Sequence, residues 1–232
     1  MSVVGAEPWR ARQHGDDEPG YSARGLDAHK KTLGASERRE EERAKFREQL
    51  KQVDARRVVV VDECGSNIAL TPLYGWAPKG QRVHGSVPRN RGKNTTLLAS
   101  LSLAGVGACM ILEGSVNTLA FEAYVEHLLA PSLVAGQIVV LDNLSAHKGA
   151  RVRQLIEARG GELLVLPAYS PDYSPIEETC SKLKAFLRRV GARTHEALQE
   201  AIGQALETVT ATDTLGWFTH CGYSPVQASD LS

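Results

Sequence analysis

Two acidic residues close apolar runs: Asp62 ends "VVVVD" and Asp142 ends "IVVLD". Runs of β-branched and aliphatic residues of this kind read as buried strands. In an open α/β sheet, ligands are met at the carboxyl ends of strands. A carboxylate fixed there is rigid and borders solvent, which suits a hard divalent cation. Such a cation needs a third oxygen donor from another element. The stretch 166–184, "LPAYSPDYSPIEETCSKLK", follows the last apolar run and offers Asp172, Glu177 and Glu178. Each also has an ordinary explanation. Asp172 suits a turn after Pro171. Ser174 can cap a helix that begins with Pro175, which makes Glu177 the third residue of a capping box. Glu178 is then a first-turn acid favoured by the helix dipole. Taken alone, the stretch favours the capping box.

A second group is cationic. Lys79, Arg82, Arg89, Arg91 and Lys93 lie in "KGQRVHGSVPRNRGK", which contains no acid. That pattern fits a strip that binds phosphates, and equally a solvated basic loop. Trp76, beside a turn, could stack on a base or cover a core edge.

The elements that must position these groups follow from the apolar periodicity. "RRVVVVDE" (56–63), "NTTLLASLSL", "GACMILEG", "QIVVLDN" (137–143) and "ELLVLPA" predict five strands. "TLAFEAYVEHLLAPSL" (118–133), with Pro131 marking its end, "HKGARVRQLIEARGG", the opening stretch and "THEALQEAIGQALETV" predict helices. The order is βββαβαβα, an α/β pattern. "LYGWAPKGQRV" (73–83) carries two turn signals and predicts a loop or hairpin. Upstream, "SERREEERAKFREQLKQV" (36–53) predicts a solvated connector helix opened by Ser36, with Phe46 and Leu50 as a thin stripe. The expected organisation is an arm at 1–35 without periodicity, a connector at 36–55, a domain at 56–223 and a tail at 224–232.

Composition narrows the class. At 232 residues, 42% of them hydrophobic and 23% charged, the chain suits one substantial core. Lys and Arg total 27, as do Asp and Glu, so net charge points to no partner. Four cysteines without C-x-x-C spacing, and no secretory segment, argue against a zinc or disulfide framework and fit a reducing cytoplasm. The uncharged run 94–112 approaches the length of a membrane span. Its hydroxyl residues and central "LAGVG" favour two buried strands over a membrane helix.

"VVVVDECG", "GWAPKG", "VVLDNLSAHK" and "LPAYSPDYSPIEETCSKLK" together, in that order, resemble the motifs of mariner-type transposases, most nearly the bacterial insertion-sequence branch. The resemblance spans roughly residues 36–223. It implies a ribonuclease-H-like fold, a central mixed sheet flanked by helices, with an Asp, Asp, Glu triad. The family typically separates its last two acids by thirty-four residues. That number lies between Asp142 and Glu177, and Glu178 would give thirty-five. The implied catalytic and metal-binding residues are therefore Asp62, Asp142 and Glu177. They would share two Mg2+ (or Mn2+) ions, about 3.5–4 Å apart in such sites, with Asp62 bridging. The implied reactions are hydrolysis that frees a 3′-hydroxyl at an element end, then attack of that hydroxyl on target DNA.

Asn143 and His147 match the family's "DN…H" stretch and are implied auxiliaries, although a lone His near a helix start is also a common structural residue. Lys148 joins the five loop cations as a candidate DNA contact. Implied partners are DNA, both element ends and target, with a homodimer left open. Two departures stand out. Cys180 occupies the position, three after the glutamate, where the family usually carries Trp, which is expected to loosen packing under that helix. Nothing before residue 56 resembles the family's paired helix-turn-helix units. The expectation is a catalytic half served by a separate DNA-binding subunit or reading frame, or an inactive remnant. An unrelated phosphate-handling domain ranks below both, since a phosphatase would normally carry Asp where Cys64 stands.

Overall fold

A computed structural model describes residues 35–144 and 149–225. The expected arm, apart from Ala35, and His147 and Lys148 lie outside the described residues, as does the tail beyond Pro225. From Glu37 onward the described residues form one compact unit.

The five expected strands form one mixed sheet. They are β1 (Val58–Ser66), β2 (Thr95–Ser102), β3 (Gly105–Glu113), β4 (Ile138–Leu141) and β5 (Glu162–Val165), in the order β3-β2-β1-β4-β5. β1, β2 and β3 pair antiparallel, and β4 and β5 add in parallel to the other side of β1. The uncharged run is therefore the β2–β3 hairpin. Among the described residues no helix is long and apolar enough to cross a membrane.

β1 is apolar on both faces because both are covered. Val58, Val60 and Cys64 face a layer made by α1 (Glu40–Leu50), α5 (Ile176–Val190), α6 (His195–Glu207) and α7 (Ala211–His220). Val59 and Val61 face the opposite layer. That layer holds α2 (Thr118–Tyr124), which runs through a π-helical turn, Val125–Leu129, into α3 (Ala130–Ser132), together with α4 (Ala150–Glu157). The result is helices, sheet, helices: the mixed-sheet architecture expected of a ribonuclease-H-like domain.

Three local expectations need correction. Ser36 does not open α1, which starts at Glu40 behind Arg39 with no side-chain cap. Nor is α1 a solvated connector, because Arg43, Phe46 and Leu50 are buried. Phe46 lies 5.2 Å, ring to ring, from Tyr173. Burying Phe46 and Leu50 stabilises this docking by roughly 2 kcal/mol each. Finally, α7 extends the chain beyond the helix expected to be last. It opens with a true capping box, Thr210 with Asp213.

Candidate active site

Strand register fixes the two aspartates. β1 and β4 pair in parallel with Val61 opposite Leu141, so the next residues, Asp62 and Asp142, stand side by side. Asp142 follows the end of β4, but Asp62 does not close β1 as expected, because that strand runs on to Ser66 with Asp62 paired to Ala99 of β2. Alternation along β1 turns Asp62 to the face that α5 covers. β5 then leads through a bent loop and a 3-10 turn, Pro171–Tyr173, into α5, whose second residue is Glu177. Asp62, Asp142, Asn143 and Glu177 all line one open cleft of ≈ 540 Å³.

The capping box does not form. Ser174 completes the 3-10 turn, its N–H donating to Pro171 O at 2.9 Å, and its own carbonyl accepts from Glu177 N–H at 3.1 Å. Pro175, not Ser174, is the residue before the first turn of α5, and no side chain caps that helix. The Glu177 side chain is therefore left to the cleft. Glu178 lies outside the cleft lining, and its charge helps push up the Cys221 thiol, behind burial as the main cause. Asp172 has another task. Arg43 grips both its oxygens, Nη1 to Oδ1 at 3.0 Å and Nη2 to Oδ2 at 2.6 Å, and Arg38 adds a bond at 3.2 Å. Arg43 also donates to Ser170 Oγ at 2.7 Å and lies over the Tyr173 ring. Its guanidinium holds the Asp172 carboxyl below the usual carboxylate range. Sequence reading missed this clamp entirely.

Asp62 carries the electrostatic signature of the site. Burial pushes its pKa up to about 7, and the charges of Asp142 and Glu177 push the same way against one bond from the Glu63 amide. Asp142 Oδ1 accepts from Leu144 N–H at 3.1 Å. Among the described residues no Lys or Arg lines the cleft. Crowded acids with no cation in the lining fit a divalent ion, which would restore the ionised form of Asp62. Among the described residues no three His, Cys, Asp or Glu side chains stand as a ready set around one ion. Two ions, each held by a pair of carboxylates, require no such triple.

The cationic strip lies elsewhere, on the long segment between β1 and β2. Lys79, Arg82, Arg89, Arg91 and Lys93 are all exposed. The tip turns with Gln81 N–H bonded to Pro78 O at 3.0 Å and Gly80 at φ +87°. Gly75 packs so closely on Val83 that a Cβ there would stand 2.6 Å from Val83 Cγ1. Trp76 covers no core edge, being 91% exposed. Under the site, Cys180 is buried and hydrogen-bonded to Cys64, a contact that with burial pushes its pKa up and keeps it a neutral thiol. Both thiols are buried there, beneath α5.

The fold has counterparts among solved structures. The described structure is similar to a pre-cleavage Mos1 transpososome, with a TM-score of 0.65 at 18% identity over 86% of this chain and 64% of that one. A mariner Mos1 paired-end complex with Mg gives 0.66 at 18%, over 85% and 64%. The Mos1 catalytic domain with Raltegravir and Mg gives 0.60 at 19%, over 82% and 92%. The chain thus spans 64% of the length of the first matched structure, and its fold is that of the transposase catalytic domain. No curated protein matches the chain. The family model described as "DDE superfamily endonuclease" matches residues 57–199, a stretch that contains Asp62, Asp142 and Glu177, and the chain belongs to that family.

Proposed function

We propose that this chain is the catalytic domain of a transposase of the bacterial insertion-sequence branch, acting on DNA element ends and target DNA. The observation that carries the reading is the meeting of Asp62, Asp142 and Glu177 on one cleft, from two neighbouring strands and a helix start. Asp62, which feels the charges of both other acids, would be shared by two Mg2+ or Mn2+ ions, with Asp142 on one and Glu177 on the other. When bound, such ions supply charge stabilisation to the attacking and leaving oxygens of a phosphodiester. The matched Mos1 complexes with Mg and with Mn support that choice of ion.

The chain's own residues do the rest. Register holds the aspartates rigid, and the Leu144 amide orients Asp142. Asn143, which also lines the cleft, would contact a phosphate oxygen. The exposed cations from Lys79 to Lys93 offer a sequence-independent grip on the DNA backbone. A paired-end complex and a strand transfer complex among the matched structures support DNA as partner. A separate helix-turn-helix subunit or reading frame is the proposed partner for sequence recognition, and the cytoplasm the proposed compartment.

Nicking of supercoiled plasmid by the purified chain, with Mg2+ or Mn2+, tests the proposal. Metal-dependent nicking is expected, and Asp142→Ala and Glu177→Ala should each lower it by at least two orders of magnitude, as loss of one ligand of a metal pair commonly does. Nicking that survives both substitutions would sink the assignment. No nicking by a folded parent would favour an inactive remnant.

A further inference from the structure

The turn Ala168–Ser170 forms part of the cleft wall, and its middle residue holds a conformation that tyrosine rarely adopts. Tyr169 has φ +55° and is the one non-glycine with positive φ among the described residues. Glycine or asparagine would take that backbone with less strain. The surroundings hold it in place. Arg38 Nε donates to the Tyr169 carbonyl at 2.8 Å. Ser170 Oγ donates to Ala168 O at 3.2 Å and accepts from Arg43 Nη1 at 2.7 Å. Both arginines then bind Asp172, three residues further on. Strain of this kind persists where neighbours over-determine it, and it gathers at ligand sites. Its effect here is to present a ring, 57% exposed, on the cleft that Asp62, Asp142 and Glu177 also line.

We infer that Tyr169 is a nucleobase contact, its ring stacking on an unpaired base beside the phosphate that enters the cleft. The inference rests on the DNA reading above and adds a binding residue to it. A phosphodiester drawn to divalent ions held by the carboxylates brings its nucleoside to the wall. The Tyr169 ring, exposed on that wall, is placed to hold such a nucleoside by its base. Stacking suits this place because every base offers a π-face, whatever the sequence.

The test is fluorescence anisotropy in Ca2+ with two 20-nucleotide strands, oligo-dT and an abasic strand carrying the same phosphates. Variants are Tyr169→Phe, which keeps the ring, and Tyr169→Gly and Tyr169→Asn, which remove it while tolerating the backbone. Thermal melts confirm that each variant folds. The parent and Tyr169→Phe should prefer oligo-dT. Tyr169→Gly and Tyr169→Asn should lose roughly 5- to 150-fold on oligo-dT and nothing on the abasic strand. Equal binding of oligo-dT by Tyr169→Gly and parent overturns the inference and leaves the DNA reading standing. So does a parent that binds both strands alike, which would make the ring a protein contact at most. A parent that binds neither strand overturns both.

Discussion

Replacing Asp62 by Asn should stabilise the metal-free protein, and the effect should grow with pH. Asp62 titrates at about 7 in the folded chain, chiefly because it is buried and then because Asp142 and Glu177 face it. An unfolded aspartate titrates near ~3.9. A folded pKa raised above the unfolded one means stability that is fully present below about pH 4 and lost as pH rises through about 7. Each unit of difference corresponds to about 1.4 kcal/mol, so some 4 kcal/mol is missing from the parent at pH 8. Asparagine keeps the shape and the acceptor for the Glu63 amide, which sits 2.7 Å from Asp62 Oδ1, but does not ionise.

Urea unfolding in a chelator at pH 5, 6, 7 and 8 reads the effect. Other carboxylates titrate in both proteins, so only the difference between variant and parent counts. Between pH 5 and pH 8 that difference should widen by about 2–3 kcal/mol in favour of Asp62→Asn. Millimolar Mg2+ should then stabilise the parent and leave the variant unchanged, because only the parent keeps the shared ligand. A gap that is flat across this range, or a variant less stable at pH 8, would refute the picture of crowded buried charge.

Two further substitutions probe the surroundings. Arg43→Met keeps the buried stem but removes the grip on Asp172 and Ser170. Asp172 is 45% exposed and retains Arg38, so solvent screening limits the loss to about 2 kcal/mol, less than for a fully buried pair. The Asp172 carboxyl lies below its usual range, so this penalty is present above about pH 4 and should shrink as pH falls below it, as urea melts will show. Cys180→Trp places the family's usual residue against Cys64, where both thiols are already buried. It should overpack the core and cost about 1–3 kcal/mol; an unchanged melting temperature would mean that the space beneath α5 is looser than it looks.

The sheet was legible because its strands are apolar runs, and the aspartates were legible because each follows the most apolar part of one, although β1 in fact continues four residues beyond Asp62, to Ser66. Glu177 was legible by its distance from Asp142, while its local context pointed to a cap. The cap failed for a backbone reason: Ser174 is spent closing the 3-10 turn, and its carbonyl, not its hydroxyl, meets Glu177. The clamp on Asp172 left no periodic trace, since Arg43 lies 129 residues away in sequence. α7 carried a readable signal, Thr210 three before Asp213, and went unnoticed inside a polar stretch. In α1 the charged residues masked a buried stripe, and one of the charges, Arg43, is itself part of that stripe.

These differences divide the site into two mechanical halves. Asp62 and Asp142 cannot move apart without breaking the β1–β4 register, so sheet hydrogen bonds hold them. Glu177 sits at the end of an irregular connection from β5, where no ladder fixes it. What fixes that connection is side-chain chemistry from α1: Arg43 and Arg38 on Asp172, Arg43 on Ser170, and Arg47 on the Tyr173 hydroxyl at 2.9 Å. Disturbing α1 should therefore move the glutamate and spare the aspartates. Such a disturbance would weaken the ion shared by Asp62 and Glu177 before the one shared by Asp62 and Asp142. The third carboxylate is thus the part of the proposed triad that α1 can adjust.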